Sequence, residues 1–381
     1  MALSSFLQLS SLASPGEVIS PEVVHTILGK VDSRFNNYQQ HDAAEAMATI
    51  LDRLTYETSS VKTKIEHPER LEGESVLDHA RRYHEEYKSK ENNSPLVDTM
   101  HCVQVSKITC KCPHCGGHYE RQKFDPLPQF ALEIPTNEDG RPVSSCSVKD
   151  LMDEHTKPQE VPDFKCPSCK NRLVATKQLT ILGCPPILMI TPRKYQEVRN
   201  GEGKLIGLKK IDVSVDVSLD VNDFSEYMTP LDNDVEAHYE LCSSANQCQG
   251  GSLGGGHYVS NVRDFKSDTF HCFNDSRHAV VSSDNKSSII NSTNYNLLFV
   301  RRDVVEQLRH SGAQLPQDEQ NDKPIASDRN GSRVEDTNGG SDSDVHMEEL
   351  DGKDSSVPDV EAEVRLATNS ICVGQHFLCL A

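Results

Sequence analysis

The sequence has no tryptophan at all, and its aromatic share is only 6%. No run approaches the roughly 18 apolar residues that a membrane-spanning helix needs, so a membrane is not an expected partner. Basic residues are also scarce, with 39 Lys and Arg against 58 Asp and Glu and a net charge of −19. Such a balance offers no general basic face to a phosphate backbone, so nucleic acid is not expected either. Met1 to Leu12 lacks a basic n-region and is not read as a signal peptide. Without one, the 13 cysteines read as thiols and metal ligands of a cytoplasmic or nuclear protein, not as a disulfide framework. The apolar share of 36% is lean for a packed globule and points to an unfolded portion.

That portion is found by charge. Residues 303–381 hold 17 acidic against 6 basic side chains and are rich in Ser, Asp, Asn and Gly. They cannot bury enough apolar surface to offset the entropy of ordering, so 303–381 is expected to be an acidic tail, disordered over about 310–370. The apolar end, Ile371 to Leu380, reads as a frayed terminus. Residues 1–302 are expected to form one domain.

Within it, helical patterns come first. Ser20-Pro21 opens a segment with Val23, Val24, Ile27, Leu28 and Val31 at helical spacing. Asp42 with Glu45 reads as a capping box ahead of Ala46, Met47, Ile50, Leu51 and Leu54. Ser75 to Lys90 carries Ala80, Tyr83 and Tyr87 on one side. Strand patterns follow: Val103 to Ile108, Phe124 to Ile134 interrupted by Pro126 and Pro128, Leu173 to Leu182 paired with Ile187 to Thr191, and a strict alternation from Ile211 to Val221. Short strands from His238 to Arg301 complete the set. Helices followed by strands predict an α+β fold.

Cys112-Pro113-His114-Cys115 and Cys166-Pro167-Ser168-Cys169 are two C-x₂-C knuckles. Cys112, Cys115, Cys166 and Cys169 together offer four thiolates to one tetrahedral Zn²⁺, with Gly116 and Gly117 allowing the first tight turn. Four cysteines leave no open coordination position, so the expected zinc is structural, and each knuckle is placed at a hairpin tip. Cys110 lies close enough to compete as a ligand.

Gly250 to Gly256 is a glycine-rich loop leading into His257-Tyr258. No Lys and no helix follow, so it is not a phosphate loop; it suits close passage of a substrate backbone. His257, at the start of a strand, can act as a general base, and Asp275, ending the strand with Phe270 and Phe273, can hold the imidazole if the two strands are neighbours.

Taken in order, Tyr38-Gln39-Gln40-His41-Asp42, the third helix, the knuckles, Pro186-Ile187-Leu188-Met189-Ile190, Gly255-Gly256-His257-Tyr258 and Phe273-Asn274-Asp275-Ser276 resemble the ubiquitin-specific proteases from about Ile19 to Arg302. The resemblance implies a papain-like thumb, palm and fingers, with zinc-tipped fingers at about 102–190. It implies a catalytic group of His257, Asn274 and Asp275, and ubiquitin contacts from Asp42, which meets the basic tail of ubiquitin, and from Gln40, Gly255, Gly256 and Tyr258. The partners implied are ubiquitin and ubiquitinated proteins, engaged by a monomer. His41 stands where the motif has its second Gln, Ala46 where a large aromatic is frequent, and Phe270 is the stand-in for a tryptophan.

One element of the family chemistry has no counterpart. Its nucleophile is a cysteine in an Asn-x-Gly-Asn-Thr-Cys type segment before the glutamine motif, whereas the first cysteine here is Cys102. The thumb is therefore expected to be truncated and this chain, as written, not to turn over. Cys248, assigned to the glycine loop, lacks the helix N-terminus that would activate it. A ubiquitin-binding pseudoenzyme and a zinc-dependent scaffold are the alternatives.

Overall fold

The computed structural model describes residues 22–37, 41–231, 235–248, 256–275 and 277–310. Gln40, the loop through Gly255 and the expected acidic tail beyond His310 lie outside the described residues.

Helix α1 (Glu22–Val31) buries Val24 and Leu28 but leaves Val23, Ile27 and Val31 exposed, so the buried stripe is narrower than the apolar pattern. Helix α2 (Ala43–Thr58) begins where Asp42, in extended conformation, accepts the amides of Ala44 and Glu45 at 2.8 and 3.0 Å. Glu45 does not complete the expected capping box; its carboxylate pairs with Arg34 at 3.0 Å. Helix α3 (Val76–Glu86), capped by Ser75, packs Ala80 and Tyr83 on a satellite core with Val103, Val105 and Phe124. Short α4 (Pro95–Met100) starts on Pro, as its fixed φ favours.

Strands β1 (Cys102–Lys111), β2 (His118–Leu127), β5 (Gln159–Lys165) and β6 (Arg172–Leu182) form a five-stranded sheet with β12 (Met228–Thr229), ordered β12-β6-β1-β2 with β5 also on β6. Pro126 sits in edge strand β2, where a missing amide is tolerated. A second sheet has eight strands in the order β16-β15-β14-β13-β17-β7-β3, with β11 (Val221–Asp223) also on β13. Its members are β3 (Phe130–Glu133), β7 (Ile187–Arg193), β13 (His238–Cys248), β14 (His257–Asp264), β15 (Thr269–Asn274), β16 (Arg277–Ser282) and β17 (Asn294–Arg301). The expected pairing of Leu173 to Leu182 with Ile187 to Thr191 is wrong: β6 and β7 belong to different sheets, β6 bonding β1 and β7 bonding β17 and β3. Gly183, at φ 98°, turns the chain out of one sheet before Pro185-Pro186 leads it into the other.

One face of the large sheet packs on α5 (Val148–Thr156) and the Val213, Val215, Val217 and Leu219 ribbon, of which only β10 (Ser214–Asp216) is a strand, paired in parallel with β4 (Ser145–Ser147). Its other face packs on α1, α2 and α7 (Arg302–His310), the last burying Val304 and Val305. A separate hairpin, β8 (Tyr195–Arg199) and β9 (Leu205–Lys210), and the short α6 (Lys286–Ile289) complete the described α-helices and strands.

His101 follows α4. Both of its ring nitrogens are shielded and without a hydrogen-bond partner, and burial lowers its pKa to about 4. Burial also lowers the pKa of His67 and His155. A histidine kept neutral in the fold but free to protonate in the unfolded chain gives stability that is complete above its ordinary pKa of 6.5 and lost as pH falls toward 4. His101 alone is worth roughly 3 kcal/mol across that window. The melting temperature is expected to fall between pH 7 and 4.5, and by less in His101→Gln. Equal slopes for the two proteins would remove His101 as the source.

Candidate active site and metal centre

The metal centre is local in origin. Each knuckle closes a hairpin, β1–β2 for the first and β5–β6 for the second, as the spacing predicts. The turns are built alike: the amide of Gly116 bonds the carbonyl of Cys112, and that of Lys170 the carbonyl of Cys166, both at 2.9 Å. Gly116 and Lys170 hold the left-handed position, φ 68° and 65°, which costs glycine little and accounts for it at the first site. The four Sγ atoms lie within 4.8 Å of one another, with Cys112 and Cys169 at 3.5 Å. Tetrahedral ligands about 2.3 Å from zinc stand roughly 3.8 Å apart, so this donor set can hold a metal ion. The amides of Cys169 and Ser168 stabilise the Cys166 thiolate and lower its pKa to about 6; those of Cys115 and His114 lower that of Cys112. Cys110, the possible competitor, is buried next to this group and outside it.

The second constellation lies on the large sheet. β14 and β15 are antiparallel neighbours, Ser260 opposite Phe273, which brings the first residue of one beside the last of the other. His257 Nε2 lies 2.6 Å from Asn274 Oδ1 and 3.9 Å from Asp275 Oδ2. Asn274, not Asp275, is therefore the closer partner, while Asp275 occupies a left-handed turn position at φ 51°. An amide oxygen there accepts from Nε2–H and leaves Nδ1 as the basic nitrogen, a tautomer assigned from this network. Cys248 is not a loop residue: it ends β13 directly opposite His257, with its sulfur 3.8 Å from Thr293 Oγ1. Cys272, on the same strand as Asn274, has its thiol pKa raised by burial.

Asp42 is more engaged than its sequence suggests. One carboxylate oxygen caps α2 and the other accepts from the Tyr295 hydroxyl, while the Tyr258 hydroxyl accepts from the Ala43 amide at 3.4 Å. Burial, with the Asp42 charge, pushes the Tyr295 pKa far upward, so it remains a donor. Tyr195, Tyr258 and Tyr295 form one ring cluster beneath the start of α2. Tyr295 went unnoticed in the sequence because the contact spans 253 positions and no local spacing encodes it. Gly256 precedes β14 directly, while Gln40 and Gly255 are outside the described residues.

Comparison with known proteins adds a second kind of observation. A family model described as ubiquitin carboxyl-terminal hydrolase matches residues 2–299. Ubiquitin carboxyl-terminal hydrolase 2 of Gallus gallus is 28% identical over 307 residues, covering 78% of each chain. The Homo sapiens protein of that name is 27% identical over 288 residues, covering 74% of this chain but only 44% of its own length. Among solved structures, the SAGA Ubp8(S144N)/Sgf11/Sus1/Sgf73 DUB module matches with a TM-score of 0.51 at 19% identity, over 75% of this chain and 56% of that one. The fold is thus a mixed α+β fold shared with that chain.

Proposed function

Because this chain belongs to the ubiquitin carboxyl-terminal hydrolase family, we propose that its site is the one that, in the family's complete form, serves thiol-dependent hydrolysis of the bond after the C-terminal glycine of ubiquitin. The observation that carries this reading is the 2.6 Å contact between His257 and Asn274 in a chain of that family. Asn274 and, at longer range, Asp275 orient the imidazole; Nδ1 takes the proton of an attacking thiol and returns it to the leaving amine. The thiolate adds to the carbonyl carbon, the amine departs with that proton, and water then releases ubiquitin from the thioester.

In this reading the helices are a thumb, the large sheet a palm and the five-stranded sheet a set of fingers that a structural zinc on Cys112, Cys115, Cys166 and Cys169 holds rigid. Asp42, Gln40, Gly255, Gly256 and Tyr258 meet the tail of ubiquitin. The ubiquitin-engaging domain, expected to end at residue 302, runs on through α7 to His310, whose Val304 and Val305 are part of its core; it is a monomer of the cytoplasm or nucleus, and the acidic tail lies beyond it. For the 381-residue chain itself the reading is binding without turnover, since neither Cys248 nor Cys272 sits at a helix N-terminus.

Titration of isotope-labelled ubiquitin with the chain tests the proposal. Amide shifts are expected in ubiquitin's C-terminal residues and on the surface beside them, and ubiquitin lacking its last residues is expected to bind at least about tenfold more weakly, a loss of 1.4 kcal/mol. A spectrum unmoved at high micromolar protein would end the reading.

A further inference from the structure

The β8–β9 hairpin stands apart from both large sheets and differs from the rest of the molecule in charge. Residues 195–210 hold four basic and two acidic side chains, net +2, in a chain of net −19. Lys194 is its buried anchor: its Nζ donates to the Ser292 carbonyl at 2.9 Å, and burial lowers its pKa to about 8. Tyr195 holds the other side, exchanging hydrogen bonds with Gln247, the neighbour of Cys248, at 2.8 and 3.0 Å. Beyond these anchors the hairpin exposes Val198, Leu205 and Ile206, the last at 62%. Lys204 and Lys209 are exposed beside them. Among the described ion pairs none involves Lys204, Lys209 or Lys210, although Arg193 pairs with Glu133. The result is an apolar, cationic projection without its complement.

The complement is in the same chain. Residues 341–354 read Ser-Asp-Ser-Asp-Val-His-Met-Glu-Glu-Leu-Asp-Gly-Lys-Asp, six acidic side chains against one basic, with Val345, Met347 and Leu350 set among them. We propose that this segment docks on the β8–β9 hairpin, its carboxylates on Lys204, Lys209 and Lys210 and its apolar side chains on Leu205 and Ile206. Reach is not limiting: about 30 residues separate His310 from Asp342, and at roughly 3.3–3.6 Å each they span up to about 100 Å. Tethering raises the local concentration to the order of millimolar, so a contact too weak to persist between separate molecules is populated within one. The hairpin is rooted beside Gln247, the neighbour of Cys248, which faces His257 across the β13–β14 ladder. Ser341 and Ser343 flank Asp342, and a phosphate on either adds about −1.5 to −2 charge to the docked segment and tightens it.

Zero-length carbodiimide coupling of the full chain, read by peptide mass spectrometry, tests this. Bonds are expected from Lys204, Lys209 or Lys210 to Asp342, Asp344, Glu348, Glu349 or Asp351 within one molecule. They are expected to fade at about 1 M salt, where the screening length is near 3 Å. The Lys204→Glu, Lys209→Glu double variant is expected to lose them at least tenfold while retaining the Lys149–Glu226 bond, an ion pair of the folded chain. Tail carboxylates that couple to other lysines, only to a second isotope-labelled copy, or not at all overturn the proposal.

Discussion

Metal analysis of the purified chain is expected to give one zinc per polypeptide, and Cys115→Ser with Cys166→Ser to abolish it. The expectation follows from two hairpins of one sheet, joined by the β1–β6 ladder as far as Thr109 and Thr176, whose tips beyond it meet through four sulfurs within 4.8 Å. Thiolates brought this close repel one another unless a cation or protons neutralise them. In zinc-finger peptides a structural zinc contributes about 10–16 kcal/mol of apparent folding energy. Here the helices and the large sheet have cores of their own, so the loss should concentrate in β1, β2, β5 and β6 near the knuckles. Hydrogen exchange there is expected to rise by orders of magnitude after chelation. The melting temperature should fall by about 10 °C, a loss of a few kcal/mol in a domain of this size. A chain that melts and exchanges identically with and without metal would refute the assignment.

The second large effect is catalytic. The 381-residue chain is expected to leave a ubiquitin C-terminal fluorogenic substrate uncleaved, even where ubiquitin binds. Loss of an activated nucleophile costs on the order of a millionfold in turnover, which places the rate at background. Burial pushes the Cys102 thiol far upward and those of Cys146 and Cys184 to about 11, the reverse of activation. Cys248 faces His257 from a strand end and receives no helix dipole. Cys248→Ala is therefore expected to change nothing. Turnover that this substitution abolishes would identify Cys248 as the nucleophile and overturn the reading.

What could be read from the sequence was what is local. A knuckle is four residues and a turn, so both hairpin tips and the four-sulfur cluster were legible. So was Asp42, whose cap reaches only two and three residues ahead. The helix over Val148–Thr156 was missed although Ser147 and Asp150 form a reciprocal capping box. Non-local choices were harder. Leu173 to Leu182 and Ile187 to Thr191 read as partners because they are adjacent, but β7 finds better burial between β17 and β3. Strand β13 carries Ser243, Ser244, Asn246 and Gln247, a polar run that nonetheless lies in the interior, where Ser244 and Asn246 share the Ile289 carbonyl with Asn261. Nothing in such a run announces burial. At the site, His257 and Asp275 were found from their setting, whereas the closer contact with Asn274 depends on how two strand ends lie together.

The position of β17 bears on how the protein is made. It is the last of the described strands to leave the ribosome, yet it lies in the middle of the large sheet, between β13 and β7. Tyr295, near its start, is also the residue that reaches back to Asp42. At about 5–20 residues per second, the roughly 250 residues between them take some tens of seconds to translate. From the emergence of Ile190 until β17 follows, the wholly apolar Ile187–Ile190 segment has β3 on one side and no companion on the other, making the nascent polypeptide a natural client for chaperones. A message that stops short of residue 294 would yield a product for degradation, not a smaller working protein.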